Sequence, residues 1–168
     1  MKRDRETFRA LPRRPVTVVL DRVGRNYNIG AIFRLCDAFL IGRLVICGKD
    51  LDLKKRKLMQ AARGTERWVP WEQAESALAV IQEAKACGAS IIVVEQTTGS
   101  IALEDLQPSF PACVVFGSEA HGVSQEIVDI ADVVVSIPML GMANSINVAS
   151  AAAIVLYNCV TQSAGQKL

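Results

Sequence analysis

The chain has 168 residues, of which 51% are hydrophobic but only 5% aromatic, and its formal net charge is +2 at neutral pH. A chain of this length can bury one sizeable core, built here from Val, Ile, Leu and Ala, so we expect a single domain. No apolar run approaches the ~20 residues that span a bilayer, and residues 1–14 are too polar for a secretory signal. These features argue against a membrane or secreted protein and predict a cytoplasmic one.

The basic residues are concentrated in two segments. Residues 1–14 contain six Lys and Arg against two acidic residues, and residues 54–67 contain six against one. Because the rest of the chain is acidic, this distribution favours a polyanionic partner whose phosphates set affinity. Two solvated segments would give the same pattern. The candidate phosphate contacts are Arg9, Arg13, Arg14, Lys54, Lys55, Arg56, Lys57 and Arg63.

The first half of the chain alternates apolar runs with amphipathic segments. Residues 16–20 predict a first strand and residues 43–47 a second. Between them, apolar residues spaced three and four apart predict a helix that Asn28 caps. The basic segment over residues 53–62 is compatible with a helix, and residues 68–71 with a loop or short strand.

The second half continues the alternation. We predict a helix over residues 71–87, a strand over 91–94, connecting chain over 103–111 and a strand over 112–116. A short helix over 124–130, a strand over 133–137 and a helix over 145–160 follow. The strands lack polar alternation, which is typical of a parallel sheet covered on both faces. The predicted fold class is therefore α/β: one mostly parallel sheet with helices on both faces.

Two turns, over residues 116–122 and 137–147, follow two of the predicted buried strands. The carboxyl ends of parallel strands gather at one edge of a sheet, so we expect the turns to form one composite site. Glu119 could instead cap a helix or pair with a cation, and Ser145 and Asn147 could be simple helix caps. His121 is the single histidine and has no evident carboxylate to orient it, so we do not take it as the catalytic base.

The helix that follows the first strand is a third candidate part of the site. Asn28 and Arg34 are six positions apart, which places them about 120° apart around the helix axis. They share a site only if Asn28 precedes the first turn. The alternative for Arg34 is an ordinary solvated side chain. Gly30 and Ala31 leave room for something to approach the helix start.

Three motifs occur in a fixed order: N-x-G-A-x-x-R from residue 28, G-x-E-x-x-G from residue 117, and I-P-M-x-G-x-x-x-S-I-N-V from residue 137. This order resembles the SpoU, or TrmH-type, RNA ribose 2′-O-methyltransferases of the SPOUT superfamily, over residues 16–160. The resemblance implies S-adenosylmethionine as cofactor and 2′-O-methylation of structured RNA, with tRNA favoured over rRNA. It also implies a C-terminal trefoil knot and a homodimer, and it makes residues 15–168 one methyltransferase domain that follows the basic segment over residues 1–14.

The resemblance also assigns individual residues. It implies catalytic roles for Arg34, Asn28, Glu119, Ser145 and Asn147. It implies cofactor contacts, largely through main-chain groups, at Gln96, Thr97, Gly117, Ile137, Met139 and Ile146. The chain departs from the usual pattern in having Ile146 in place of Leu and no Pro before the first-motif Asn.

Two other function classes fit the sequence less well. A non-catalytic RNA-binding module with the same knot would have less need of Arg34, Glu119 and Asn147. A dinucleotide-dependent enzyme is disfavoured because no G-x-G-x-x-G follows the first strand. The five cysteines lack the spacing of a metal or redox motif, which predicts buried reduced thiols and no metal site.

Overall fold

A computed structural model describes residues 11–48, 52 and 54–162. The predicted phosphate contact Arg9 lies outside the described residues. So do residues 1–10 of the predicted basic segment and residues 163–168 of the predicted methyltransferase domain. The strands are β1 (Arg14–Asp21), β2 (Ile41–Cys47), β3 (Trp71–Ala74), β4 (Ser90–Val94), β5 (Ile101–Ala102), β6 (Ala112–Gly117) and β7 (Val133–Ser136). The helices are α1 (Asn26–Ala38), α2 (Arg56–Ala62), α3 (Ala77–Ala86), α4 (Gln125–Asp129) and α5 (Val148–Gln162). Short 3₁₀ turns cover Thr65–Arg67 and Leu103–Asp105.

Within the described part of the chain, seven parallel strands form one sheet in the order β3-β2-β1-β6-β4-β7-β5. The first three strands progress outward in one direction, and β6 pairs with the opposite side of β1. Asp21 at the end of β1 therefore lies beside Gly117 at the end of β6. Ligands bind in open α/β sheets at such a reversal of strand order, which directs attention to this edge.

The apolar strand residues point alternately to two separate cores. Val18, Leu20 and Phe116 pack with apolar residues of α1, α2 and α5 on one face. On the other face, Val19 and Val115 pack with residues of α3 and α4. The α/β class and the helices on both faces are thus confirmed.

Four of the five cysteines, Cys36, Cys47, Cys113 and Cys159, are buried without disulfides, and Cys87 is exposed. Burial disfavours the thiolate and raises the pKa of Cys47 and of Cys159 to about 11 and that of Cys113 to about 12. The prediction of buried reduced thiols is confirmed for these four and is wrong for Cys87.

The predicted capping role of Asn28 is wrong. Helix α1 begins two residues earlier, at Asn26, and Arg25 occupies the N-cap position without a side-chain cap. Asn28 instead lies in the first turn with only 1% of its surface exposed. A buried amide must find hydrogen-bond partners, and those partners come from the two distant turns.

The prediction of one helix over residues 71–87 is also wrong. Residues 71–74 form β3, which pairs with β2 from Leu44 to Cys47. The Trp71 ring packs edge-on against Phe33 at a centroid distance of 5.6 Å, which fixes this segment against α1. Helix α3 starts only after Ser76, whose Oγ accepts a hydrogen bond from the Ala79 N–H at 3.2 Å.

Candidate active site at the carboxyl ends of the strands

A chain of side-chain hydrogen bonds joins the three predicted motifs. The Asn28 Nδ2 amide donates to Glu119 Oε1 at 2.6 Å. The Asn147 Nδ2 amide donates to Asn28 Oδ1 at 3.0 Å. These partners are 91 and 119 residues from Asn28 along the sequence. The predicted convergence of the two turns with the start of α1 is therefore present in the fold.

Asn147 has a second role at the start of α5. Its Oδ1 accepts the Ala149 N–H at 2.9 Å, and its carbonyl accepts the Ala151 N–H at 2.9 Å. Since α5 begins at Val148, Ser145 and Ile146 lie in the preceding exposed loop and not in the helix. Asn147 thus caps α5 and joins the start of that helix to Asn28 through its side-chain amide.

Glu119 lies in a short loop, residues 118–124, that we call the Glu119 loop. The loop closes on itself through the Gly122 N–H, which donates to the Ser118 carbonyl at 2.8 Å, and the reverse bond at 3.1 Å. Glu119 Oε2 accepts the Gly24 N–H at 3.0 Å. Partial burial opposes ionisation of Glu119, but hydrogen bonds from its own N–H, from Gly24 and from Asn28 outweigh it and lower its pKa.

Asp21 anchors the far end of the same loop and was not among the residues predicted from the sequence. It is 4% exposed at the end of β1, and its Oδ2 accepts both the Ser124 hydroxyl at 2.6 Å and the Ser124 N–H at 3.1 Å. Arg22 Nε pairs with its other oxygen at 3.1 Å. Burial opposes ionisation, but the hydrogen bonds from Arg22 and Ser124 prevail and lower the pKa of Asp21. A polar residue at the end of an apolar strand was the available sequence signal.

Two neighbouring cavities lie between the ends of β4 and β7 and the loop that leads to α5. The first, of about 140 Å³, is bordered by Gln96, Ile137, Met139, Ser145 and Ile146 among others. The second, of about 410 Å³, shares Gln96, Ile137 and Met139 and adds Thr97. Five of the six predicted cofactor residues therefore come together here: Gln96, Thr97, Ile137, Met139 and Ile146. Gly117 does not border either cavity and pairs with Asp21 instead.

A third cavity, of about 550 Å³, opens on the other side of Glu119. Arg22, Arg25 and His121 border it together with Gly24 and the start of the Glu119 loop. His121 is exposed, and its backbone N–H donates to Ser118 Oγ at 3.2 Å. In the described chain no carboxylate hydrogen-bonds to its imidazole, so the geometry offers no oriented base at this position.

Arg34 is exposed on α1 and is not part of the chain of hydrogen bonds that Asn28 organises. Among the described residues, none forms a hydrogen bond or ion pair with its guanidinium. Asn28 and Arg34 lie on the same helix about 120° apart around its axis, as predicted. Asn28 does not occupy the cap position that would have brought the two side chains together. Within one chain, therefore, the structure unites Asn28, Glu119 and Asn147 but leaves Arg34 free to meet a ligand.

The predicted phosphate contacts differ in their exposure and in their bonding within the fold. Lys54, Lys55, Arg56, Lys57 and Arg63 are exposed on and beside α2. Arg14 is half-buried at the start of β1. Arg13 uses its guanidinium within the fold, donating to the Trp68 carbonyl at 2.8 Å and the Ile41 carbonyl at 3.2 Å.

Gly30 accounts for the position of this basic helix. A Cβ at Gly30 would lie 2.5 Å from the Leu58 carbonyl oxygen and 2.8 Å from Ala61 Cβ. What approaches the start of α1 is thus the α2 backbone, which packs where only glycine leaves space. This close contact holds the exposed basic residues of α2 beside the helix that carries Arg34.

The profile of the SpoU rRNA Methylase family matches residues 15–157 of the chain. The chain belongs to this family. A relative within it, the tRNA (guanosine(18)-2′-O)-methyltransferase of Aquifex aeolicus, is 34% identical over 163 residues, which are 96% of this chain and 76% of the relative. The predicted membership of the SpoU family is thereby confirmed.

Solved structures of SpoU proteins share the fold. The A. aeolicus TrmH/SpoU tRNA modifying enzyme superposes with a TM-score of 0.86 at 31% identity, covering 96% of this chain and 83% of the other. The SpoU methyltransferase AviRb of Streptomyces viridochromogenes, solved in complex with AdoMet, gives a TM-score of 0.80 at 27% identity. That alignment covers 99% of this chain but only 64% of AviRb.

The cavities between β4 and β7 fit an S-adenosylmethionine molecule in their chemistry. The borders combine apolar groups of Val94, Val135 and Ile137 with the amide of Gln96 and the hydroxyl of Ser136. In the described chain no Lys or Arg borders either cavity, whereas the acidic residue Glu95 borders the smaller one. Such a lining accepts a ligand that carries a sulfonium and an ammonium charge.

Membrane spans and metal clusters are both absent from the residues that the structure describes. There, no helix is both long and apolar enough to cross a membrane. Within the same ranges, no group of three or more His, Cys, Asp or Glu side chains is placed to hold a metal ion.

Proposed function

We propose that this chain transfers a methyl group from S-adenosylmethionine to the 2′-hydroxyl of a ribose in structured RNA, and that its substrate is a tRNA. The observation that carries the proposal is the hydrogen-bonded chain from Glu119 through Asn28 to Asn147, which links all three family motifs beside a suitable cavity. The name of the A. aeolicus relative supports tRNA. RNA is required because DNA lacks the 2′-hydroxyl.

We assign the cofactor to the cavities between β4 and β7. Gln96 and Thr97 would hold it from one side, and Ile137, Met139 and Ile146 from the other. When bound, S-adenosylmethionine supplies an electrophilic methyl group on its sulfonium. The protein then has to place a ribose oxygen in line with that methyl, which is work that positioning alone can perform.

We assign to Arg34 the stabilisation of the negative charge that develops on the ribose oxygen. A guanidinium stays protonated in proteins and is a poor base, so we do not assign it removal of the proton. An RNA phosphate or water takes that proton, while the fixed positive charge stabilises the alkoxide. The exposed side chain of Arg34, which bonds to none of the described residues, is free to contact RNA in this way.

Asn28, Asn147, Ser145 and Glu119 position the reactants in this proposal. Asn28 and Asn147 fix the loop before α5 against α1, and Glu119 fixes its own loop against Gly24. Ser145 borders the cofactor cavity, and its hydroxyl would orient the ribose. Because these contacts are already formed, little reorganisation is needed when RNA binds.

The exposed basic residues of the α2 region would hold the RNA backbone. Changing Lys54, Lys55, Arg56 and Lys57 together to Gln should weaken RNA binding and reduce the slope of log K against log[salt] by roughly 0.7 to 0.9 for each phosphate that is no longer neutralised. Filter binding over a series of salt concentrations measures both. Glu83, Glu104 and Glu126 changed together to Gln provide a control set of exposed charges away from α2. Unchanged affinity and slope in the α2 variant would exclude this footprint.

We propose a homodimer that buries the exposed face of α5. Ile154 and Tyr157 on this helix are 44% and 61% exposed, which is high for large apolar groups. Light scattering should give about twice the chain mass of 18.2 kDa, and Ile154→Asp should shift the mass toward that of the monomer. Ile101→Asp, at a similarly exposed isoleucine on β5, should not. A monomeric wild-type protein at micromolar concentration would contradict the proposal.

We also propose, from the family resemblance, that the C-terminal segment is threaded into a trefoil knot. Knots are rare in protein backbones, so the point calls for direct measurement. Pulling the chain by its two ends in a force spectrometer should give a contour length shorter than that of a fully extended chain. The full extended length would exclude a knot.

We further place the protein in the cytoplasm, with residues 15–168 as one methyltransferase domain behind a basic segment, residues 1–14. Fluorescence microscopy of a tagged copy tests the location, and limited proteolysis tests the domain. Export from the cell would contradict the first assignment. A stable cut within residues 15–168 would contradict the second.

Mass spectrometry of modified nucleosides tests the proposed function itself. Purified protein is incubated with S-adenosylmethionine and either tRNA or rRNA transcripts, and the nucleosides are then analysed. A ribose-methylated nucleoside from tRNA is the expected product. Methylation of rRNA alone would overturn the substrate class. Tight RNA binding with no methylated nucleoside would favour a non-catalytic RNA-binding module.

A further inference from the structure

Glu95 connects the cofactor cavity to the Glu119 loop. It is the first residue after β4, and its N–H continues the sheet by donating to the Val135 carbonyl at 3.0 Å. The side chain is half-buried and borders the 140 Å³ cavity next to Gln96 and Ile137. Glu95 therefore borders the cavity from the carboxyl end of β4.

Both carboxylate oxygens of Glu95 accept hydrogen bonds from backbone N–H groups. Oε1 accepts the Gln96 N–H at 2.9 Å, on the segment that borders both cofactor cavities. Oε2 accepts the Val123 N–H at 2.9 Å, in the Glu119 loop 28 residues away. The carboxylate thus bridges a cavity wall and the loop that holds Asn28.

The Glu119 loop is shaped to receive this carboxylate. Gly122 has a φ of +68° and lies directly against Glu95, so that a Cβ at this position would overlap Glu95 Oε2. A side chain would be disfavoured here both by the backbone conformation and by the carboxylate. Near the start of the same loop, Glu119 contacts Asn28 and, through it, Asn147.

We propose that Glu95 is a positioning residue that makes binding in the cofactor cavity and the conformation of the Glu119 loop depend on each other. A ligand that packs against residues 95–97 fixes the Glu95 carboxylate, which in turn holds the Val123 N–H and the loop. Such coupling is reciprocal, so a ligand in the cavity tightens RNA binding by the same factor as RNA tightens ligand binding. The inference rests on the proposed function, because it takes S-adenosylmethionine and RNA as the two ligands.

Hydrogen exchange of the loop amides tests the coupling without catalysis. S-adenosylhomocysteine, which lacks the transferable methyl, serves as the probe. In the wild-type protein it should slow exchange of residues 118–123 severalfold. In Glu95→Gln one N–H loses its acceptor, and in Glu95→Asp the carboxylate no longer reaches Val123. In both variants, the probe should still slow exchange of residues 137–147 but no longer that of residues 118–123.

A matched control and a second measurement complete the test. Glu75→Gln removes the same charge from an exposed residue between β3 and α3 and should behave as wild type. The probe should tighten tRNA binding by a factor of about 5 or more in wild type and in Glu75→Gln, and by a factor near one in both Glu95 variants. A purely structural role for Glu95 would instead weaken RNA binding equally with and without the probe.

The outcomes separate this inference from the function on which it rests. If calorimetry shows that the wild-type protein binds the probe but its loop amides exchange as before, the coupling is overturned and the cofactor assignment stands. Loop protection that persists in Glu95→Gln and Glu95→Asp also overturns it. If the wild-type protein does not bind the probe or S-adenosylmethionine, the proposed function fails first and the inference fails with it.

Discussion

Replacing Arg34 by alanine is expected to lower the rate of methyl transfer by ~10²- to 10³-fold, the usual loss when one group that stabilises developing charge is removed. Folding and cofactor binding should not change. Arg34 is exposed and has no hydrogen-bond or ion-pair partner among the described residues, so its replacement should alter the free energy of unfolding by no more than ~0.5 kcal/mol. Single-turnover kinetics at saturating RNA measure the rate of methyl transfer, and calorimetry measures the binding of S-adenosylmethionine. Urea denaturation measures the free energy of unfolding.

Two further variants define what Arg34 contributes. Arg34→Lys keeps the positive charge but lacks the planar fork of donors, so recovery of most of the rate would show that charge suffices. A rate as low as that of Arg34→Ala would show that the fork is needed. Arg67→Ala removes an arginine whose side chain is 72% exposed and should retain the wild-type rate at saturating RNA. Near-wild-type methylation by Arg34→Ala would remove Arg34 from the mechanism.

The local sequence pattern was sufficient to predict the layers of this fold. Continuous apolar runs rich in β-branched residues predicted β1, β2, β4, β6 and β7, and the spacing of apolar residues predicted α1. This worked because burial on one or both faces of an element requires apolar residues at regular positions along the sequence. The prediction was wrong where contacts with a distant segment, and not the local sequence pattern, decide the secondary structure. Residues 71–74 are short enough to read as part of a helix, and pairing with β2 makes them a strand.

The site could be predicted only as a set of segments. Glu119 and Asn147 were placed near Asn28 by motif order, but the sequence could not show that a buried amide joins them, because the bonds connect residues about 100 positions apart. The sequence around Asn28 fits a helix cap equally well, so the local pattern predicts the wrong role for this side chain. Asp21 and Glu95 were missed for the same reason: each follows an apolar strand, and its partner lies in a loop that comes next to it only in the folded sheet.

Asn28→Ala is the change that we expect to cost the fold most at the site. It leaves Glu119 Oε1 without its donor at 2.6 Å and the Asn147 amide without its acceptor at 3.0 Å. The change removes two hydrogen bonds, one of them to a carboxylate, and water partly replaces them because Glu119 and Asn147 are exposed, so the free energy of unfolding should fall by ~1 to 3 kcal/mol. Urea denaturation followed by circular dichroism measures it. Methyl transfer should fall as well, because the side-chain bonds that join the two motif loops through Asn28 are then lost.

Asn28→Asp separates the missing hydrogen bond from the shape of the side chain. It is nearly isosteric but places a second carboxylate against Glu119, and like charges at this distance raise the pKa of the pair. The variant is therefore more stable below the raised pKa, where one of the two carboxyls is protonated. It loses that stability as the pH rises through the raised pKa. Relative to wild type, Asn28→Asp should be more destabilised at pH 7 than at pH 4. A pH-independent difference would mean that the two side chains do not meet.

Asn26→Ala supplies the comparison that assigns this effect to the buried hydrogen bonds. Asn26 lies in the same first turn of α1, and in the described structure no hydrogen bond is formed by its side chain. Its replacement should change the free energy of unfolding by no more than ~0.5 kcal/mol. Equal destabilisation of Asn26→Ala and Asn28→Ala would mean that the loss does not depend on the buried bonds, and helix propensity could not be its cause because alanine favours the helix more than asparagine does. Destabilisation confined to Asn28→Ala would trace it to the bonds with Glu119 and Asn147, which hold the two motif loops at the carboxyl edge of the sheet.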